Sequence, residues 1–372
     1  MLRIKPTLLA VAVLASAQAS ASDDDLRING FMSVGVGMLS TDDIAVSGFD
    51  TDANFSTDTV IALQISKQIN ETTSATTQLV SRGSEEYDTN ATWAYISYAI
   101  NNDTDVRVGR LRTPFFYYSD FLEVGYAYNW VRPPEEVYRL DAFSSVNGID
   151  VTHRFSMGST DGSVQTYFGR VNAPYTIGDE KYEFEAKNIS GIVLNLNRGN
   201  FGTRLSYHRT DLYADLDPAG SRTLDSLLAA ATSYGRGDDF DISGQTAQFM
   251  GAAGTWDNGE YAFVAEYTAL RQETESVLDD NAFLLTGAKR FGTTTVHATY
   301  TSKRDLIEGD AIQKNLKKMA QLHKQAYILG ARYDYDTGTA FKFELQYQDE
   351  KTVQGTDGES GMLYSAAIDL VF

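Results

Sequence analysis

The chain has 372 residues, 50 acidic against 31 basic, a formal charge of −19 and no cysteine. That balance argues against nucleic-acid partners, which need a basic footprint, and the missing cysteines exclude a disulfide framework and thiolate-ligated metal. Glycine is abundant at 30, proline scarce at 6, and aromatic residues make up 12%, a composition suited to long strands.

Arg3 and Lys5 precede the apolar run Leu8–Ala15, and Ala17-Gln18-Ala19 and Ala19-Ser20-Ala21 offer small-x-small cleavage sites. Residues 1–21 therefore read as an export signal peptide cut after Ala21. Without Arg3 and Lys5, the remaining 29 basic and 50 acidic side chains give the mature chain, 22–372, a charge of −21. No later stretch approaches the ~18 continuous apolar residues of a membrane-spanning helix. An exported chain without one is either soluble or a closed β-barrel, because an open sheet cannot satisfy its backbone in lipid.

Alternation of period two dominates the rest. Sixteen such runs lie near 26–38, 57–68, 73–82, 91–100, 104–112, 147–155, 162–171, 187–197, 201–210, 245–256, 260–270, 282–291, 294–303, 324–334, 340–348 and 361–372. In the clearest, Phe341, Phe343, Leu345 and Tyr347 interleave with Lys342, Glu344, Gln346 and Gln348; a helix would mix the two sets. In the first run Phe31 breaks the pattern by falling on the polar side. Short turn-rich links (70–72, 101–103, 198–200, 257–259, 336–338) alternate with long polar ones (39–56, 113–146, 211–244, 304–323, 349–360). That asymmetry predicts an all-β, transmembrane, antiparallel up-and-down barrel of about 16 strands, with short periplasmic turns, long extracellular loops and both termini periplasmic. The pairs Phe201/Tyr207, Tyr261/Tyr267, Tyr327/Tyr333 and Phe341/Tyr347 are six residues apart. That is roughly 20 Å along a strand, a spacing suited to two aromatic girdles around an apolar band. Two loop helices are predicted, at 224–234 and 310–323, the second with Ile312, Leu316, Met319 and Leu322 on one face.

The stretch Val108-Gly109-Arg110-Leu111-Arg112-Thr113-Pro114-Phe115-Phe116, continuing through Asp120, Val124-Gly125-Tyr126 and Trp130-Val131-Arg132-Pro133-Pro134 to Glu136-Val137-Tyr138, resembles the trimeric general-diffusion porin family of Gram-negative outer membranes. In such porins a Gly-Arg pair ends the fifth strand and the next loop folds into the barrel and narrows it. The resemblance implies the same for 113–146, which follows the fifth alternating run. The loop lacks the Pro-Glu-Phe-Gly-Gly element of the enteric members, so their constriction acids are not carried over. Phe372, with Leu370, Ile368 and Tyr364 on one face, resembles the assembly signal that ends such barrels and implies the barrel-assembly machinery as a partner.

The expected chemistry is a charged constriction. Arg27, Arg82 and Arg107 take the inward parity opposite Ile28, Leu79 and Val108. Arg110 shares the parity of Val106 and Val108, so it faces inward only if a bulge or the loop start re-aims it; the resemblance favours that. Arg112, Arg132 and Arg139 are further cationic candidates, and Asp120, Glu123, Glu135, Glu136 and Asp141 the acidic ones. The alternative for each loop charge is plain solvation. Acidic doublets at 42–43, 85–86, 238–239 and 279–280 could bridge divalent cations to lipopolysaccharide, although solvated loops are the simpler reading. Lys314, Lys317, Lys318 and Lys324 could meet lipopolysaccharide phosphates directly.

No catalytic motif occurs, and the four histidines are dispersed. Neither a cofactor nor a metal site is expected. A pore for passive diffusion of small hydrophilic solutes and ions is the expected function. A sugar- or phosphate-specific channel is the first alternative; a rim hydrolase seeded by His208, Arg209 and Asp211, or a barrel with a blocked lumen, follows. The outer face of the third run (Thr73, Ala75, Thr77, Leu79, Ser81) is too polar to prefer lipid and suits close packing in a homotrimer, with loop 83–90 reaching across. Five acids against two arginines in 113–146 predict weak cation selectivity.

Overall fold

A computed structural model describes residues 26–44, 46, 48–177, 180–217, 219–307, 309, 313–314, 322–352 and 359–372. The expected signal peptide lies outside these residues. The strands are β1 Leu26–Leu39, β2 Val60–Gln68, β3 Thr73–Arg82, β4 Thr89–Asn101, β5 Thr104–Arg112, β6 Ser145–Met157, β7 Thr160–Ile177, β8 Glu180–Arg198, β9 Phe201–Ala214, β10 Ser243–Asp257, β11 Tyr261–Gln272, β12 Asp279–Phe291, β13 Thr294–Leu306, β14 Leu322–Asp334, β15 Thr339–Thr352 and β16 Glu359–Val371. Each pairs antiparallel with the next, and β16 pairs with β1 from Phe31↔Val371 to Leu39↔Leu363, closing a barrel of sixteen strands. Past the last ladder pair, Gly30 N donates to Phe372 O at 2.7 Å and Phe372 N to Gly30 O at 2.9 Å. A Cβ on Gly30 would lie 2.4 Å from the Phe372 ring, so glycine there lets the terminal ring lie across β1.

The alternation resolves into two faces with inverted burial. On β15 the apolar Phe343 is 63% exposed and the cationic Lys342 1%. Apolar side chains point away from the barrel, and polar ones point into its lumen. Of the eight expected girdle residues, Phe201, Tyr207, Tyr267, Tyr327, Tyr333 and Tyr347 are exposed, while Tyr261 and Phe341 are half-buried. Phe31 takes the lumen parity and is buried with Val80, Val124 and Tyr126, which explains its misfit to the alternation.

Two expectations are corrected. The runs at 162–171 and 187–197 are the lower parts of a longer hairpin that reaches Ile177 and Glu180. A bulge in β8 at Lys187–Asn188, with Asn188 at φ 52°, shifts its register against both β7 and β9 and swaps the buried face of β8 from Tyr182, Phe184 and Ala186 to Ile189 and Val193, which hides the continuation. Most of 310–323 lies outside the described residues, but Leu322 and His323 begin β14, paired with Thr352 and Lys351, rather than ending a helix. The other loop helix is present as α1, Thr223–Ser233.

Chain ends and short turns share one rim; the loops 40–59 (L1), 83–88 (L2) and 113–144 (L3) lie at the other. At Gly109 (φ +136°) a Cβ would sit 2.3 Å from the carbonyl oxygen of Ala94. Replacement by alanine is expected to cost about 1–3 kcal/mol in backbone strain. Gly109→Ala should unfold at a lower temperature than the parent when the heat-dependent shift in gel mobility is followed; an unchanged transition would contradict this.

Candidate functional site

β5 is regular to its end, with Leu111 and Arg112 still paired to Val146 and Ser145. L3 then turns inward instead of continuing up the wall. Its first residues dock on β9–β11. Arg204 Nη2 donates to Pro114 O at 2.6 Å, Ser206 Oγ donates to Phe115 O, and Tyr117 N donates to Glu266 at 2.8 Å. Phe115 and Phe116 meet Phe249 edge-on at 5.1 and 5.3 Å.

The loop next reaches β3 and the closing seam. Glu123 accepts from Arg82 at 2.5 and 3.1 Å and from Arg112 at 3.3 Å. Burial alone would raise this carboxyl, but the Arg112 and Arg82 charges outweigh it and hold Glu123 below its usual range. Gly125 passes so close to the wall that a Cβ would lie 2.3 Å from Asp369 Oδ1.

The return path is pinned from the wall. Lys342 Nζ, 2.8 Å from Asp369 with both side chains 1% exposed, donates to Gly125 O and Trp130 O at 2.6 Å each. Arg332 donates to Tyr126 O and Tyr128 O at 2.7 and 2.9 Å. Trp130 Nε1 donates to Thr299, and Val131 N to Glu344. Glu136 accepts from Thr301 and Gln348, and the Tyr138 hydroxyl donates to Glu266 at 2.6 Å.

L3 thus lies against β9–β16 and the seam. On the opposite wall, the lumen-facing Tyr95, Ser97, Arg107 and Gln165 keep accessible surface. Arg107 is bidentate to Asp150 at 2.9 and 2.5 Å, and Gln165 shares that carboxylate. Asp120 is exposed on L3 and within electrostatic reach of Arg107 and Arg204. Asp141, also exposed, is pushed up to about 6 by desolvation among the surrounding protein and then by the Glu123 charge.

The predicted residues separate into three groups. Arg82, Arg107, Asp120 and Glu123 gather around the lumen, and Arg112, on the parity of Arg110 at the end of β5, reaches Glu123. Arg132 and Arg139 serve as anchors. Arg132 pairs with Asp58 of L1, donates to Ser365 and lies over the Phe49 ring at 4.7 Å, while Arg139 pairs with Asp280 and donates to Thr268. Arg27 and Arg110 do not join them. Arg27 is exposed at the start of β1, six residues from Ser33, the β1 residue that abuts Gly125.

Arg110 faces outward, because β5 carries no bulge that would reverse its parity: it is paired with Ala94 and Asn147 in register. It lines a groove of about 930 Å³ on the outer wall with Val108, Ile149, Phe168, Arg170 and Lys187. Unforeseen members of the site are Arg204, Asp150, Asp58, Glu266, Lys342, Glu344 and Asp369; inward parity marked those on strands, but nothing in the sequence paired them with L3. The hydrolase seed separates: His208 is buried towards the lumen, while Arg209 and Asp211 take the outward parity of β9. Among the described residues no group of three or more His, Asp or Glu could hold a metal.

A closed sixteen-strand antiparallel barrel, apolar outside, with a long loop folded into a charged lumen, defines the architecture of the outer-membrane porins and channels. No protein-family profile and no curated protein matches the sequence. Solved structures do match. The outer membrane channel DcaP of Acinetobacter baumannii aligns with TM-score 0.62 at 9% identity, over 96% of this chain and 100% of that one. The anion-selective porin of Comamonas acidovorans aligns with 0.57 at 13%, over 93% and 99%. The in-vitro folded outer membrane protein OmpT of Vibrio cholerae, in its trimer form, aligns with 0.56 at 13%, over 93% and 99%. The chain has the porin fold.

Removing one partner of a buried ion pair costs about 3–5 kcal/mol, because the other charge is left stranded. Lys342→Met should therefore free the 125–130 part of L3. Limited proteolysis of the folded barrel should cut within L3 in the variant and spare it in the parent; equal resistance would show that Lys342 does not hold the loop.

Proposed function

We propose that the protein is an outer-membrane porin, a water-filled channel for passive diffusion of small hydrophilic solutes and ions, with the long-loop rim extracellular and both termini periplasmic. The observation that supports this is L3 itself: it is pinned to one half of the lumen wall and leaves exposed Asp120 within electrostatic reach of Arg107. Planar-bilayer recording tests this. Stepwise ohmic conductance is expected; a silent barrel would favour a blocked lumen.

Charge pairing supports weak cation selectivity. Arg107, Arg132 and Arg139 are neutralised by Asp150, Asp58 and Asp280, and Glu123 by Arg82 and Arg112. Asp120 and Asp141 remain as exposed lumen acids of L3. With a Debye length of about 8 Å at physiological salt, these nearest charges dominate. As the pH falls through about 6, Asp141 takes up a proton and its negative charge is lost. Zero-current potentials should show cation preference falling between pH 7 and 5, and Asp141→Asn should remove that step. Anion preference at pH 7, or an undiminished step in the variant, would contradict this.

We further propose a homotrimer in the lipopolysaccharide-containing outer membrane, its terminal Phe372 face read by the barrel-assembly machinery. Support comes from the outer face of β3 around Thr77 and from complementary charge. L2 exposes Glu85, Glu86 and Asp88, with Glu86 and Tyr87 at φ 53° and 64°. The outer groove presents Arg110, whose Nε has no hydrogen-bond partner. The acidic loop of one copy against the basic groove of the next is a heterologous contact that closes a ring. A bismaleimide added to Thr77→Cys in mild detergent should give a ladder ending at three subunits; persistent monomer would contradict the assembly.

A further inference from the structure

Between L3 and the lumen-facing side of β8–β11, towards the long-loop rim, lies a cavity of about 160 Å³. Phe115, Leu140 and Phe143 of L3 and Ala186, Ile189 and Phe249 of the wall give it an apolar lining. The ion-pair network that holds L3 does not need such a space, and well-packed interiors keep few of this size.

Two polar atoms on its lining are unspent. His208 is 2% exposed, its ring edge-on to Phe115 at 5.0 Å, with Nδ1 2.9 Å from the Tyr167 hydroxyl. Its Nε2 is buried with no hydrogen-bond partner, and so is Gln272 Nε2. With the Tyr167 hydroxyl donating to Nδ1, Nε2 carries the ring hydrogen. Both free atoms are then donors, and buried donors left unpaired are rare in native interiors. Of the charged residues on the lining, Arg139 is paired with Asp280 and Arg209 takes the outward parity of β9, and no carboxylate lines it. The cavity is thus apolar in its body and electron-accepting at its polar points.

We propose that this cavity is a binding subsite for a compact aromatic carboxylate, its ring among Phe115, Phe143 and Phe249 and its oxygens on His208 Nε2 and Gln272 Nε2. An apolar cavity of about 150 Å³ is large enough to hold benzene, so a single ring fits and a fused pair does not. The subsite deepens the channel reading, on which its access from the outer mouth rests. A solute held there sits beside L3, upstream of Asp120.

The test is titration of sodium benzoate into the full-length barrel in detergent, followed by saturation-transfer NMR. Saturable binding is expected, with toluene, which lacks the oxygens, binding more weakly. His208→Phe combined with Gln272→Leu should weaken benzoate at least tenfold, about 1.4 kcal/mol, and abolish its advantage over toluene. Ala247→Leu, which fills the space from the wall, should block both ligands. Gel mobility before and after heating confirms that each variant is folded. Non-saturable binding, unchanged affinity in the double variant, or toluene matching benzoate in the parent would overturn the subsite. Potassium chloride conductance on the same preparation reads the channel separately: benzoate binding without conductance would defeat the porin reading and leave the subsite, and conductance without binding the reverse.

Discussion

A strand in lipid has no water to satisfy an unpaired N–H or carbonyl, and each such group costs several kcal/mol. Everything in this structure follows from removing the last unpaired edge. Pairing of β16 with β1, extended by the Gly30–Phe372 bonds, converts a sheet that could not exist in a membrane into one that can. Closure also fixes what each residue type can do. Because alternate side chains must point outward, the apolar half of every strand is committed to lipid, and the polar half is committed to whatever fills the interior.

The interior is not left to water alone. L3 brings apolar rings inside, where Phe31, Val80 and Phe249 meet them, and brings backbone carbonyls that Lys342 and Arg332 satisfy. Buried charge is tolerated there because nearly every member has a partner: Asp369 for Lys342, Asp58 for Arg132, Asp280 for Arg139, Arg82 and Arg112 for Glu123. Stranding one of them is costly, whereas the intact pairs contribute little net stability. Their effect is positional: they select one path for thirty-two residues through the lumen, and so decide which L3 acids, Asp120 and Asp141, stay exposed.

Architecture was legible in the sequence because period-two alternation survives burial inversion: Phe343 and Lys342 exchange their usual roles, yet the pattern is the same. The alternation failed where a bulge swapped the faces of β8, at Lys187–Asn188, and the hairpin of β7 and β8 read short. The site was only half legible. Parity placed Arg82 and Arg107 correctly and argued outward for Arg110, against the expectation drawn from the porin-like Gly-Arg pair; the regular pairing of β5 decides for parity. Arg132 and Arg139 read as lining charges because a sequence shows a loop charge but not its distant partner, Asp58 in L1 and Asp280 on β12. Asp58, Asp280 and Glu344 could not be matched to L3 for the same reason.

The account makes L3, held to the β9–β16 wall, the element that sets the width of the passage. Its most direct test is single-channel conductance after residues 116–138 are replaced by a short Gly-Ser linker, with the barrel otherwise intact. A folded barrel that conducts several-fold more than the parent and loses its charge preference is the predicted result. Parental conductance in the shortened barrel would mean that the wall, not the loop, limits flow.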